Sequence, residues 1–379
     1  MRTYLDHAAT TPMVPEAVEA MSRELTRVGN ASSLHASGRA ARRVVEESRE
    51  SIAACVGARP SEVIFTAGGT EADNLAIKGA FWSRPDRPGV VTSTIEHHAV
   101  HDSVGWLAAA GAQACYVPVD PAGRIDRAAL EAAVTAQTAV ASLMWGNNEV
   151  GTLQPVADLV GIAAERGAMS HSDAVQAAGH IRLDFAASGL DLLSISAHKL
   201  GGPYGIGALL ARREVALTAV LHGGGQEREV RSGTLDVAAI AGFAAAVETV
   251  AARLGSESRR ISGLRAALVA AVRAAVPEAV VHGPNDPDAV LPGIVNVGFP
   301  DCSAESMLLL LDAAGIDCST GAACSAGVAQ PSHVLLAMGL TEAAARSSLR
   351  FSLGHTSTLA DIGTLTAALP DAVRRSRGI

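Results

Sequence analysis

Only two side-chain amines are available to this chain. Of its 30 lysines and arginines, Lys78 and Lys199 are the lysines. An arginine keeps its proton in a protein, whereas a lysine amine can be tuned into a base or a Schiff-base nucleophile. Lys199 stands in Ser194-Ile-Ser-Ala-His-Lys199-Leu-Gly-Gly-Pro-Tyr-Gly-Ile-Gly207, beside His198 and ahead of a glycine-dense loop. Lys78 falls inside a helical pattern and reads as a surface cation. Three further stretches offer chemistry. In Phe65-Thr-Ala-Gly-Gly-Thr-Glu-Ala-Asp-Asn74 two glycines and a hydroxyl precede a helix, which suits a phosphate and equally suits an ordinary turn with a Thr cap. Ser170-His-Ser-Asp-Ala-Val-Gln176 puts Asp173 at a strand end, where a lone Asp is most often a cap, and Asn147-Asn148-Glu149 puts amides at another. Ile95-Glu-His-His-Ala-Val-His101 sets His97 and His101 at i, i+4, a metal-binding spacing, but the glutamate precedes the first histidine and the zinc-protease motif is incomplete. A histidine packed on a ligand ring is the alternative. Together, a phosphate cradle, a strand-end Asp and a Schiff-base lysine are the parts of a pyridoxal phosphate site. Asp173 would keep the ring nitrogen protonated while Lys199 held the aldehyde.

Those residues need elements to hold them. Apolar runs at Val63–Thr66, Val90–Thr94 and Ala139–Met144 are followed by helical patterns from Thr70, from about His97 and from near Pro155. This rhythm predicts an α/β fold with a mostly parallel sheet covered by helices, whose ligands bind in the loops after the strand C-termini. Further strands are expected at Met169–Asp173, Leu192–Ser196 and Gly207–Ala211. An Ala-rich helix from Val237 to about Leu254 leads into Gly255-Ser-Glu-Ser-Arg-Arg260, whose composition predicts a linker. The expected division is a large domain over 13–254 and a smaller α+β domain of 1–12 and 255–379, with a helix through Ala279, a strand at Ile294–Phe299 and a helix at Ala304–Ala314.

The 379 residues are enough for two or three domains, and 49% hydrophobic against 18% charged residues excludes a disordered chain. The longest apolar run, Val237–Val247, is too short for a membrane span. The first residues lack the apolar core of a signal peptide, and five cysteines form no disulfide framework, so a cytoplasmic location is expected. A net charge of −8 argues against sequence-independent nucleic-acid binding.

The chain resembles the cysteine desulfurases of the NifS/IscS type, in the class V aminotransferase branch of fold-type I pyridoxal phosphate enzymes. The likeness runs from Tyr4-Leu-Asp-His-Ala-Ala-Thr-Thr-Pro12 to Ser348-Leu-Arg-Phe-Ser-Leu-Gly354. Asn30-Ala-Ser-Ser-Leu-His35, Asn147-Asn-Glu-Val-Gly151, Gly223-Gly-Gly-Gln-Glu-Arg228 and Arg231-Ser-Gly-Thr-Leu235 fall between them in order. The resemblance implies that Lys199 carries the cofactor, that Asp173 pairs with its ring nitrogen, and that His97 stacks on the ring. It gives Gln176 the ring oxygen and Asn148 a share in positioning cofactor and substrate. Gly69, Thr70, Ser196 and His198 would bind phosphate, with Thr234 entering from the second subunit of a homodimer. Arg350 would clamp the substrate carboxylate. Cys324, in Ser319-Thr-Gly-Ala-Ala-Cys-Ser-Ala-Gly327, falls where the family keeps the nucleophile that takes sulfur from L-cysteine as a persulfide, for iron–sulfur assembly or thiolation. Ala323, Ala197 and Tyr204 depart from the family's usual residues without removing a catalytic group. The sequence leaves open a selenocysteine lyase or another small-substrate class V enzyme, a cofactor-free sulfur carrier, the identity of the sulfur acceptor, and whether Cys324 ever ligates a transient iron–sulfur cluster.

Overall fold

The computed structural model describes residues 2–321 and 330–378. Cys324 therefore lies outside the described residues. A seven-stranded sheet has the order β2-β8-β7-β6-β5-β3-β4. Its strands are β2 (Val63–Thr66), β3 (Gly89–Ser93), β4 (Gln113–Val117), β5 (Thr138–Ser142), β6 (Met169–Asp173), β7 (Leu192–Ser196) and β8 (Gly207–Ala211). Only β8 runs against its neighbours. The expected parallel α/β sheet is thus present, and β4 is an edge strand that the apolar-run pattern does not reveal. Its residues alternate between exposed and half-buried up to Val117, because no strand covers its outer side.

All of these strands but β4 are buried along their full length, as expected when helices cover both faces of a mostly parallel sheet. On one face Phe65, Val91, Leu193 and Ile195 pack with Phe243 of a long helix. On the other, Ile64, Val90 and Leu192 meet Leu75, Ile77 and Leu107 from the helices Gly69–Trp82 and His98–Ala109.

A second sheet, ordered β12-β10-β9, joins β9 (Val280–His282), β10 (Ile294–Gly298) and β12 (Ser348–Ser352). Its two faces differ in chemistry. Val295, Val297, Leu349 and Phe351 enter an apolar core with Leu365 and Leu369, while Asn296, Ser348, Arg350 and Ser352 occupy the alternate positions. Burying Leu349 or Phe351 is worth about 1.5–3 kcal/mol each. A one-residue slip of β12 would drive Arg350 into that core, so the register is strongly fixed.

The linker expected at Gly255–Arg260 is absent. Val237–Ala275 is one helix of 39 residues, with the Glu257 carboxylate on Arg260 at 2.6 Å. Arg260 also donates to the carbonyls of Ser357 and Gly354. A mid-helix glycine costs only about 1 kcal/mol, which these contacts offset. That helix is long and apolar enough to cross a membrane, but its first turns pack Ile240, Phe243 and Val247 into the core. The N-terminal segment ties the two sheets together. β1 (Thr3–Tyr4) pairs with β11 (Ile316–Asp317), the Ser352 amide donates to Leu5, and the Thr11 amide donates to the carbonyl of His198.

Candidate active site

Five strand ends converge on one cavity. The carboxyl ends of β2, β3, β5, β6 and β7 and the segments just after them bring Gly69 and Thr70, His97, Asn148, Asp173 and Gln176, and Ser196, His198 and Lys199 to a space of about 430 Å³ that Arg350 of β12 also lines. The carboxyl edge of a doubly wound sheet is where such a cavity is expected. Thr234 is exposed and does not reach the cavity within one chain.

Lys199 ends a short 3₁₀ turn directly after β7, and its Nζ donates to the carbonyls of Ala8 and, at 2.8 Å, Ala9. Burial and the nearby Arg350 guanidinium bring its amine down to about 8. Lys78, the other amine, rests on Asn74 Oδ1 at 2.7 Å and over the Trp106 ring at 4.8 Å. It is half-buried, not the surface cation expected, and its ammonium lies against the indole face.

Asp173 is the last residue of β6, and its Oδ1 accepts from the Val175 amide at 2.8 Å. Burial raises its carboxyl above the ordinary value, opposed by His97 and Lys199. His97 caps the helix His98–Ala109, with Nδ1 accepting from the Ala99 amide at 3.1 Å. That contact assigns the proton of the neutral ring to Nε2. Its ring is open to the cavity, while the surrounding protein lowers its proton affinity. His101 instead turns its ring toward Tyr116 and His333. The i, i+4 pair therefore does not converge, and no group of three ligating side chains among the described residues could hold a metal.

Arg350 is 4% exposed. Its NH2 donates to Asp6 Oδ1 at 2.8 Å and its NH1 to the carbonyl of Asn148 at 3.0 Å. Asp73, Glu149 and His333 also line the cavity and stand outside the set expected from sequence. Asp73 was legible as the residue four after Gly69 on one helix face, and Glu149 as the neighbour of Asn148. His333 carries no local signal. Glu149 accepts from the Ser332 hydroxyl at 2.5 Å, and burial raises its carboxyl.

The residues present fit pyridoxal phosphate. The helix Gly69–Trp82 opens at the cavity with no side-chain cap, so its first amides are available to an anion. A Cβ on Gly69 would lie 2.7 Å from Val175 Cγ2, so only glycine lets the backbone come this close. Ser196 Oγ and Gln176 Oε1 are buried polar atoms without a hydrogen-bond partner, as expected of groups that wait for a ligand.

Comparison with known proteins agrees with this geometry. Residues 3–365 match the family model described as aminotransferase class-V. An IscS-like cysteine desulfurase of Mycobacterium tuberculosis is 53% identical over 381 residues, covering 99% of this chain and 97% of that protein. Among solved structures, a NifS-like protein superposes with a TM-score of 0.92 at 33% identity, covering 99% of this chain and all of the other. SspA in complex with cysteine superposes with a TM-score of 0.81 at 34% identity, covering 93% and 98%.

Proposed function

The chain belongs to the aminotransferase class-V family, to its cysteine desulfurases of the IscS and NifS type, and on that premise we propose that it converts L-cysteine to L-alanine and takes the sulfur as a persulfide on Cys324. The observation that carries this reading is the meeting of the Lys199 amine, the Asp173 carboxylate and the Arg350 guanidinium in one cavity beside an uncapped helix start.

Pyridoxal phosphate, when bound, supplies an electron sink that acidifies the substrate's Cα–H. The protein's share is positioning and proton transfer. Gly69, Thr70, Ser196 and His198 would hold the phosphate, Asp173 would pair with the ring nitrogen, the Gln176 amide would serve the ring oxygen, and His97 would pack on the ring. Arg350 takes the substrate carboxylate through a planar fork, and Asn148 sets the substrate's tilt. The Lys199 amine, brought near neutrality by burial, removes the Cα proton. The Cys324 thiolate then bonds to the substrate's sulfur as the Cβ–S bond breaks, the electron pair left on Cβ takes up a proton, Lys199 returns a proton to Cα, and alanine leaves with the outer sulfur held on Cys324 as a persulfide.

The same reading includes a homodimer whose Thr234 reaches the other subunit's phosphate, a cytoplasmic location, the two-domain division at 13–254, and delivery of the persulfide sulfur to an iron–sulfur scaffold or a thiolation partner. The deciding experiment supplies L-cysteine and an excess of thiol to the loaded protein. Alanine and sulfide are expected in equal amounts, and sulfide without alanine would rule the reading out. A much higher rate with L-selenocysteine would assign it to a selenocysteine lyase instead.

A further inference from the structure

Arg350 donates through NH1 and NH2, but its Nε is buried and has no acceptor. Directly across the sheet, the antiparallel register of β10 and β12 pairs Arg350 with Asn296. Asn296 is fully buried, and neither its Oδ1 nor its Nδ2 has a hydrogen-bond partner. Directly opposed residues on one sheet face have Cβ atoms about 4.5–5.5 Å apart, within reach of each other's side chains. A donor without an acceptor thus neighbours an acceptor without a donor, and both are closed off from water. Leaving either unmet is costly in a dry interior, more so for a charged group.

The partner of Asn296 on β9 is His282, whose Nε2 contacts Ser348 Oγ at 3.3 Å. The flanking Val295 and Val297 point into the apolar core. An aliphatic residue at 296 would spare the sheet a buried amide, so packing does not explain the asparagine.

We propose that Asn296 is a positioning residue: a rotation of its side chain brings the amide oxygen, which no donor meets here, onto Arg350 Nε and thereby aims the guanidinium at the substrate carboxylate. Asp6, the Asn148 carbonyl and Asn296 then fix the group from three sides, and the edge turned to the cavity remains for the ligand. This inference rests on the assignment of Arg350 to the carboxylate, and the test separates the two.

The measurement is the affinity of the pyridoxal-loaded protein for L-alanine and for cysteamine, read from the cofactor's absorption; cysteamine carries the amine and thiol but no carboxylate. Steady-state constants for L-cysteine accompany it. Asn296→Leu is expected to weaken L-alanine and raise the KM for L-cysteine by about ten- to a hundredfold, the worth of one hydrogen bond to a charged group. The kcat and the cysteamine affinity should stay at wild-type values, while the thermal midpoint falls by about 2–4 °C because Nε loses its acceptor. Asn296→Asp keeps the shape but sets a carboxylate against the guanidinium, so it should weaken L-alanine further. Should Asn296→Leu fail to fold, Asn296→Asp decides alone. Wild-type affinity for L-alanine in the folded Asn296 variants, or equal losses for L-alanine and cysteamine, would overturn the inference. If Arg350→Ala also bound L-alanine as wild type does, the assignment of Arg350 itself would fall.

Discussion

The two sheets contribute to the cavity in opposite ways. The large sheet gives nothing from mid-strand on its cofactor side. Its strands are mostly apolar supports, and the working groups stand in the loops at their carboxyl ends, from Gly69 after β2 to Lys199 after β7. The small sheet offers the middle of a strand, with Arg350 at the centre of β12, opposite Asn296 and fixed by pairing on a polar face. Loop groups can move as a ligand arrives, whereas a mid-strand group shifts only with its sheet. Under the proposed function, that difference would suit a cofactor that exchanges covalent partners and a carboxylate that needs one fixed anchor.

The large-sheet half of this contrast breaks most severely at Lys199. Lys199→Ala should lower alanine formation by roughly a thousandfold or more, since it removes both attachment and proton transfer. Lys78→Ala should stay near wild type, because that amine is spent on Asn74 and Trp106. Product assays together with borohydride trapping and peptide mapping check this, and a label on Lys78 would reverse the assignment.

The small-sheet half is sharpened by Cys318 and Cys324, two cysteines that precede β12 in sequence. Cys318 is largely enclosed, and burial beside Asp6 pushes its thiol up to about 12, so it holds no thiolate at neutral pH. Cys318→Ser should therefore keep turnover within about twofold. Cys324→Ser should lose roughly a hundredfold or more, because a serine hydroxyl is a poor nucleophile toward sulfur. The cofactor spectrum should nevertheless still respond to L-cysteine. A dead Cys318→Ser enzyme beside an active Cys324→Ser enzyme would move the nucleophile.

The smallest effect concerns the supports of the large-sheet loops. Glu96 is buried beneath His97, with Oε1 accepting from Ser93 Oγ at 2.6 Å and the Met144 amide at 3.0 Å. Burial raises its carboxyl to about 8. Between its ordinary value near 4.5 and about 8 the unfolded chain releases this proton while the folded one keeps it. Its contribution to stability is thus full in acid and is lost as pH rises through that window. Glu96→Gln should raise the thermal midpoint by a few degrees (~2–4 °C) at pH 8.5 and by less at pH 5. Parallel melting curves across that range would show that Glu96 is already ionised.

Much of this was legible along the chain because the information is local. Two lysines among 30 cations, Gly-Gly-Thr ahead of a helix, and a strand-end Asp and Lys each carry their meaning within a few residues. The alternation of Ser348-Leu-Arg-Phe-Ser352 likewise fixes which side chains of β12 share a face. What the sequence could not determine depends on distant segments meeting. The polar stretch at 255–260 becomes helix because Arg260 finds the carbonyls of Gly354 and Ser357 almost a hundred residues on, an interaction that outweighs local propensity. The placement of the Arg350 guanidinium likewise needs Asp6 from the opposite end of the chain and the Asn148 carbonyl from the large sheet. The raised carboxyls of Asp173 and Glu96 and the lowered amine of Lys199 are products of enclosure. Sequence supplies the groups and the local geometry that presents them, but a shifted proton affinity is a property of the dry space around a group, and only tertiary packing makes that space.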